Sequence, residues 1–394
     1  MLIEILLFIL VGIGGGVVTG LFPGIHINLV GAILLIFVEK GSSINPLFIV
    51  VLIISMSITH VFVDFIPSIL LGAPEEGTEL SVLPGYELLK KGLGLQAISL
   101  TSLGCLYGTF ILILLFPIFY FITFPIYNFL KPGVAILLLI ACAFLIFSDE
   151  KKIGALIVFL ISGMLGFIVL NLNLNESLLP MLGGLFGAST LILSIKTKTT
   201  IPKQEEVGSL KIKKFKSVIA ATLISPISIF LPAIGSGQIA TIGNQIAQEE
   251  KQGFLFLLGI VNILTLGFSF LALSTISKTR TGVSVVVKEL IGIPSWKLLG
   301  LILITIILSG IISFLITKVL SKKFIKILEK VEYQKLSIIT LIIISIIVLI
   351  FSGIVGFLIF IISTATGIYC ISLNVRRTQM MGCLLVPTII LYLF

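Results

Sequence analysis

Charge is what this chain has least of. Only 11% of its 394 residues are Asp, Glu, Lys or Arg, whereas 58% are apolar; soluble domains are about one quarter charged. The longest polar stretch, residues 196–216, is too short for a soluble domain. Histidine is scarcer still. His26 and His60 are too few and too far apart to hold a metal with their neighbours. Cys105, Cys142, Cys370 and Cys383 stand singly in apolar runs without a Cys-x-x-Cys pair, which reads as small buried hydrophobes rather than metal or disulfide chemistry. The amino terminus, Met1-Leu-Ile-Glu4, has no positive n-region and no clear cleavage site, so it reads as a retained helix. Neither a metal nor an organic cofactor is expected.

What remains is hydrophobic length. Runs of about 20 apolar residues cross a bilayer core, and about 10–13 such segments can be drawn. They fall near 2–20, 27–38, 46–66, 96–127, 133–148, 152–170, 178–195, 216–233, 253–275, 297–318, 336–351, 353–373 and 380–394. The expectation is an all-α polytopic protein of the cell membrane, with the lipid bilayer as its main partner. The net charge of +9 does not point to nucleic acid, because the excess sits in two loops. Residues 196–216 hold seven lysines and residues 318–335 hold six, and lysine excess in short loops marks the cytoplasmic side.

The chain also repeats itself. Phe159-Leu-Ile-Ser162-Gly-Met-Leu-Gly166 returns as Phe360-Ile-Ile-Ser363-Thr-Ala-Thr-Gly367, and Asn171-Leu-Asn173 as Ser372-Leu-Asn374. Upstream, Thr78-Glu-Leu-Ser81 matches Thr281-Gly-Val-Ser284, and Leu21–Ile25 more loosely matches Leu231–Gly235. The order is the same in both halves. The lysine-rich 318–335 loop corresponds to 117–132, where only Lys131 is basic. Equivalent loops of unequal basic charge favour two inverted repeats with discontinuous, re-entrant helices. The expected division is residues 1–195, a cytoplasmic basic linker at 196–216, and residues 217–394.

The breaks carry the polar residues. Gly20-Leu-Phe-Pro23-Gly24-Ile-His26-Ile-Asn28 removes a backbone donor and tolerates positive φ, and irregular backbone at membrane depth needs protein or a watery cavity around it. A Pro-kinked packed helix is the alternative, and His26 reads equally as structural. Asp64 and the acidic stretch Glu75-Glu76-Gly77-Thr78-Glu79 continue to Glu87; acids at depth cost several kcal/mol, about 2.5–3.5 on insertion scales, and so line a polar cavity or lie in an interfacial loop. In the second half the pattern is Pro232-Ala-Ile-Gly235-Ser236-Gly237-Gln238, then Asn244, Asn262, Lys278, Arg280, Thr281 and Ser284. Hydroxyls and amides at half-helix ends suit a carboxylate or Na⁺, and guanidinium matches carboxylate geometry, although a basic pair in a short loop also serves as a topological anchor. The candidate substrate residues are Pro23, Gly24, His26, Asn28, Thr78, Ser81, Gly235, Ser236, Gln238, Arg280, Thr281 and Ser284. The ion-coupling candidates are Asp64, Glu79, Asn244 and Asn262.

These residues resemble the large membrane subunit of tripartite tricarboxylate transporters, the TctA-type permeases. The resemblance rests on Gly20-Leu-Phe-Pro23-Gly24, Gly72-Ala-Pro74, Pro84-Gly85-Tyr86, Lys91-Gly92 with Gln96-Ala97, and the Leu179–Gly187 stretch. The second half departs from the pattern at Pro232-Ala233 and at Ser277–Arg280. The resemblance implies a permease coupled to Na⁺ or H⁺, a small membrane subunit and an extracytoplasmic binding protein. Taken together, the reading is a secondary active transporter moving a small organic anion, a carboxylate, by alternating access. An intramembrane lipid-modifying enzyme and a passive anion channel are the rivals, and a homo-oligomer stays open.

Overall fold

The computed structural model describes residues 1–22, 30–31, 34–35, 44–73, 77–172, 174, 177–196, 202–205, 214–232, 234–328 and 332–393. Among the described residues there is no strand. The first half comprises α1 (Leu2–Leu21), α2 (Pro46–Val63), α3 (Phe65–Leu70), α4 (Val82–Leu89), α5 (Gly94–Leu130), α6 (Val134–Phe147), α7 (Lys152–Leu170), α8 (Leu178–Leu182) and α9 (Ser189–Lys196). The second comprises α10 (Lys214–Ile224), α11 (Ile227–Phe230), α12 (Ser236–Ala247), α13 (Lys251–Ile276), α14 (Gly282–Ile291), α15 (Trp296–Leu328), α16 (Tyr333–Ser372) and α17 (Gly382–Leu393).

Eight helical stretches are long and apolar enough to cross a membrane, and two shorter apolar ones lie at 215–230 and 377–393. Several of the eight are helices joined end to end, among them 46–70, which runs α2 into α3, and 178–196, which runs α8 into α9. The 94–147 stretch turns through Lys131-Pro132-Gly133, and α16 breaks at Gly353, whose φ is +65°. The expectation of an all-α polytopic membrane protein holds. Burial sorts the spans: 89% of the α13 window is enclosed, whereas only 22% of α16 is. The enclosed helices end in breaks, while α16 presents Ile339, Ile343, Ile346, Ile350 and Ile354 outward as a lipid-facing surface. All four cysteines are buried and unpaired with one another.

Small residues let these helices touch backbone to backbone, the usual means of association where lipid is as apolar as Leu. Gly104 and Gly108 of α5 lie against Phe256, Ile260 and Ile263 of α13, and Gly267 against Leu112, so the two helices run in the same sense. By contrast, α5 and α15 run in opposite senses: Thr109 meets Gly310, while residues 95–103 face residues 314–322. On α2, Thr59 accepts a hydrogen bond from Ser313 of α15 at 2.8 Å.

The duplicated octapeptide has a packing role. In α7, Phe159, Ser162 and Gly166 lie against Gly382 and Cys383; in α16, Phe360, Ser363 and Gly367 lie against Gly184 and Leu185. A Cβ on Gly382 would come 2.8 Å from Ser162 Oγ, and one on Gly184 would come 2.6 Å from Ser363 Cβ. Each half thus supplies the helix that grips the other half's closing segment.

Candidate functional site

The breaks of both halves meet around one cavity of about 160 Å³. Gly77 and Glu79 reach it from the first half. From the second come Gly235, Ser236 and Gly237 at the start of α12, Asn262 and Thr265 in mid-α13, and Arg280, Thr281 and Gly282 at the start of α14. Ser57 and His60 of α2 and Ser228 of α11 complete its polar lining.

The first-half break is held by Asp64. Thr78 Oγ1 donates to Asp64 Oδ2 at 2.6 Å and lies 2.8 Å from Ser68 Oγ, which donates to Asp64 Oδ1 at 3.3 Å. Ser81 Oγ then donates to the Thr78 carbonyl at 2.7 Å, starting the short turn that leads into α4. Gly77 occupies φ +97°, where a side chain would be strained, and a Cβ there would stand 2.6 Å from Asn262 Oδ1. Its N–H donates to Glu79 Oε2 at 2.9 Å, and its carbonyl accepts from Asn262 Nδ2 at 3.0 Å. Asn262 therefore ties the first-half break to the middle of α13.

The second-half break repeats the scheme. Thr281 caps α14 by accepting from the Ser284 N–H at 3.3 Å, and Ser284 Oγ accepts from Thr281 N at 3.1 Å in return, a reciprocal capping box. Ser284 Oγ donates to the Thr281 carbonyl at 2.7 Å, as Ser81 does to Thr78. Thr281 Oγ1 donates to Ser269 Oγ at 3.0 Å, and Ser269 lies 201 residues after Ser68, the offset that separates Ser363 from Ser162.

Arg280 joins the two second-half breaks. Its Nε donates to the Ile229 carbonyl at 2.9 Å and Nη2 to the Phe230 carbonyl at 3.0 Å. These are the last carbonyls of α11, where a cation satisfies groups the helix leaves unbonded. A rigid fork spans two neighbouring acceptors, which an ammonium does not do in one geometry. The α12 N-cap, Gly235, provides no side-chain cap for the first N–H groups of that helix, and it lines the same cavity with Ser236 and Gly237. Gly237 lies against the Glu79 side chain, with a built Cβ 3.9 Å from Oε2.

Of the expected site residues, Glu79, Gly235, Ser236, Asn262, Arg280 and Thr281 line the cavity. Asp64, Thr78, Ser81 and Ser284 lie behind it and shape the breaks. Gln238 is fully buried and does not line it. Asn244 binds the backbone of Glu249 at the far end of α12, by 3.2 and 3.1 Å hydrogen bonds; eight residues of helix, about 12 Å, separate it from the α12 N-terminus. Pro23, Gly24, His26 and Asn28 lie outside the described residues. Sequence reasoning missed His60, Ser57 and Ser228 as lining residues. His60 Nδ1 stands 3.1 Å from Thr19 Oγ1, and no neighbouring motif marks it in the apolar α2 sequence.

Comparison with known proteins agrees with this architecture. The chain is 29% identical over 399 residues to an uncharacterised protein of the archaeon Methanocaldococcus jannaschii, covering 98% of this chain and 99% of that protein. No solved structure matches. The family model described as "Tripartite tricarboxylate transporter TctA family" matches residues 6–382. The chain therefore belongs to the tripartite tricarboxylate transporter TctA family, a multi-pass membrane protein of a transporter class.

Proposed function

We propose that this chain is the cell-membrane permease of a secondary active transport system and that it carries a small organic anion, a carboxylate, through the cavity between its halves. The observation that carries the reading is the meeting of the α12 and α14 N-termini with Arg280 around one cavity. Helix N-termini carry partial positive charge and unfilled N–H donors, a ready anion site. Glu79, beside the Gly77 carbonyl and the Asn262 amide, offers the oxygen-rich corner in which a coupling Na⁺ or H⁺ would sit. Arg280 positions the α11 end and supplies the cation, and Asp64 holds the first-half break in register. Ser236 and Thr281 orient the substrate.

Inverted repeats and alternating access belong to the same proposal. Gly94 at the start of α5 lies beside Leu70 at the end of α3, and α5 runs with α13 but against α15. These senses support α2 and its counterpart α13 crossing in opposite directions, as an inverted pair must. The halves would then rock about the shared cavity while the lysine-rich loops stay cytoplasmic. As a TctA-family large subunit, the chain is expected to work with a small membrane subunit and an extracytoplasmic binding protein; which proteins fill those places is part of the proposal.

The test is uptake of labelled di- and tricarboxylates into proteoliposomes holding the purified chain with its partner proteins, with and without an imposed Na⁺ or H⁺ gradient. Gradient-driven accumulation that Glu79→Gln converts into simple equilibration supports the reading. Flux that ignores both gradients would make the protein a channel.

A further inference from the structure

A second cavity, of about 320 Å³, opens between α5 and α15. A single water needs only about 10–15 Å³ by a comparable measure. The α5 wall is Leu95, Ile98, Ser99, Ser102 and Leu103, and the α15 wall is Phe314, Thr317, Lys318, Ser321 and Lys322. Both sets recur at three- and four-residue spacing, so each is one continuous helix stripe. The stripes face each other without filling the space between them. Ser102 and Thr317 are 3% and 0% exposed, and neither hydroxyl has a hydrogen-bond partner among the described residues. A buried hydroxyl left unpaired costs about 1–3 kcal/mol; both oxygens are closed off in this rotamer, and a turn about χ1 toward the cavity their residues line would let them donate to an occupant with acceptor oxygens.

The charges identify that occupant. Lys318 and Lys322 stand one turn apart at the mouth, both exposed, while Leu315 and Val319 on the same turns face outward at 57% and 55% exposure. The cavity is thus cationic at its rim and apolar toward Leu95, Ile98, Leu103 and Phe314, and it lies beside a lipid-facing surface. At the repeat offset of 201 residues, Lys318 and Lys322 fall on Pro117 and Phe121, so the other half has no charge at the matching rim. There the space is taken by rings: Tyr120 packs on Trp296 at 4.6 Å and Phe121 faces the same indole at 6.5 Å between centroids. One half fills this groove with aromatic side chains, and the other leaves it open and lines it with lysines.

We propose that the α5–α15 cavity binds the phosphate headgroup of an anionic membrane phospholipid, with Lys318 and Lys322 on the phosphate. Ser102 and Thr317 donate to headgroup oxygens below it, and an acyl chain lies along the apolar wall. Basic pockets between membrane helices select anionic headgroups by the same electrostatics, at about 1 kcal/mol per lysine near the surface. The bound lipid would fix the spacing of α5 and α15, which belong to different halves and pack against α13 and α2 respectively. This site is separate from the transport cavity and does not depend on the anion reading.

The experiment is native mass spectrometry of the full-length protein in mild detergent, titrated with phosphatidylglycerol, phosphatidylcholine or inorganic phosphate. Saturable retention of phosphatidylglycerol over phosphatidylcholine is expected. The Lys318→Ala/Lys322→Ala pair should weaken it by roughly 30-fold. Lys323→Ala/Lys326→Ala, on the same exposed end but outside the cavity, should change it less than about threefold, which separates a built site from a generally basic surface. Ser102→Leu, which fills the cavity from α5, should also lose the lipid; size-exclusion profiles check that each variant is folded. Equal retention of both lipids would overturn the proposal. So would equal losses from the two lysine pairs, or displacement of the lipid by millimolar inorganic phosphate.

Discussion

The two breaks that meet at the cavity beside α12 and α14 share a hydrogen-bond scaffold and differ in charge. In each, a threonine bonds a serine of the preceding helix, at 2.8 Å for Thr78 with Ser68 and 3.0 Å for Thr281 with Ser269. In each, a serine three residues on returns a 2.7 Å bond to the threonine carbonyl. Yet the first-half break is anchored on Asp64 and presents Glu79, whereas the second presents Arg280. At the repeat offset, Asp64 falls on the neutral Thr265. The two breaks thus share local geometry and differ in charge, so the cavity lining is polarised: a carboxylate, Glu79, comes from one break and a guanidinium, Arg280, from the other.

Substitutions can break or sharpen that contrast. The largest effect is expected at Arg280. Arg280→Ala leaves two carbonyls at the end of α11 without their donor and removes the cavity's cation, so the initial rate of uptake should fall by a factor corresponding to about 3 kcal/mol. Arg280→Lys should restore only part of it, because one ammonium does not reproduce the fork across Ile229 and Phe230. Next comes Gly77→Ala. A side chain at φ +97° that also presses on Asn262 should cost about 1–3 kcal/mol, seen as a lowered melting temperature and reduced uptake.

Smaller effects test the shared scaffold. Thr78→Val should destabilise more than Thr281→Val, because Thr78 also donates to the Asp64 carboxylate, a bond worth about 1.5–3 kcal/mol against about 1 for a neutral pair. Thermal unfolding in detergent measures both. Smallest are Ser81→Ala and Ser284→Ala. Ser284 should be the costlier of the two by about 0.5–1 kcal/mol, since it alone completes a capping box.

Much of this scaffold was legible in the sequence. The Thr-x-x-Ser pair marked the breaks because it was copied with its spacing, and the spacing is what places a hydroxyl over the first turn. The Phe-x-x-Ser-x-x-x-Gly pair was legible for the same reason, although its partners, Gly382 and Gly184, lie far off in sequence and could not be named from it. His60 and Ser57 were not legible as site residues. They lie inside an apolar helix, and only the crossing of α2 with the second-half breaks brings them to the cavity. Asn244 shows the converse error. Local composition grouped it with Ser236 and Gln238, but a helix carried it about 12 Å away. The Asp64–Ser68–Thr78 cluster illustrates a third case: depth alone marks the acid, whereas its partners, Ser68 one turn on and Thr78 further along the chain, are brought to it by the fold.

The most direct test is thiol protection at Ser236, the cavity-lining residue at the start of α12. The native cysteines are all buried and none lines the cavity, whereas Ser236→Cys, although only 5% exposed, places a thiol on the cavity wall for maleimide labelling in proteoliposomes. The account predicts that the carboxylate accumulated in the uptake assay slows labelling at this position in proportion to its occupancy, and leaves labelling of Ser99→Cys in the α5–α15 cavity unchanged. Equal rates at Ser236→Cys with and without a transported anion would contradict a substrate path between the two halves.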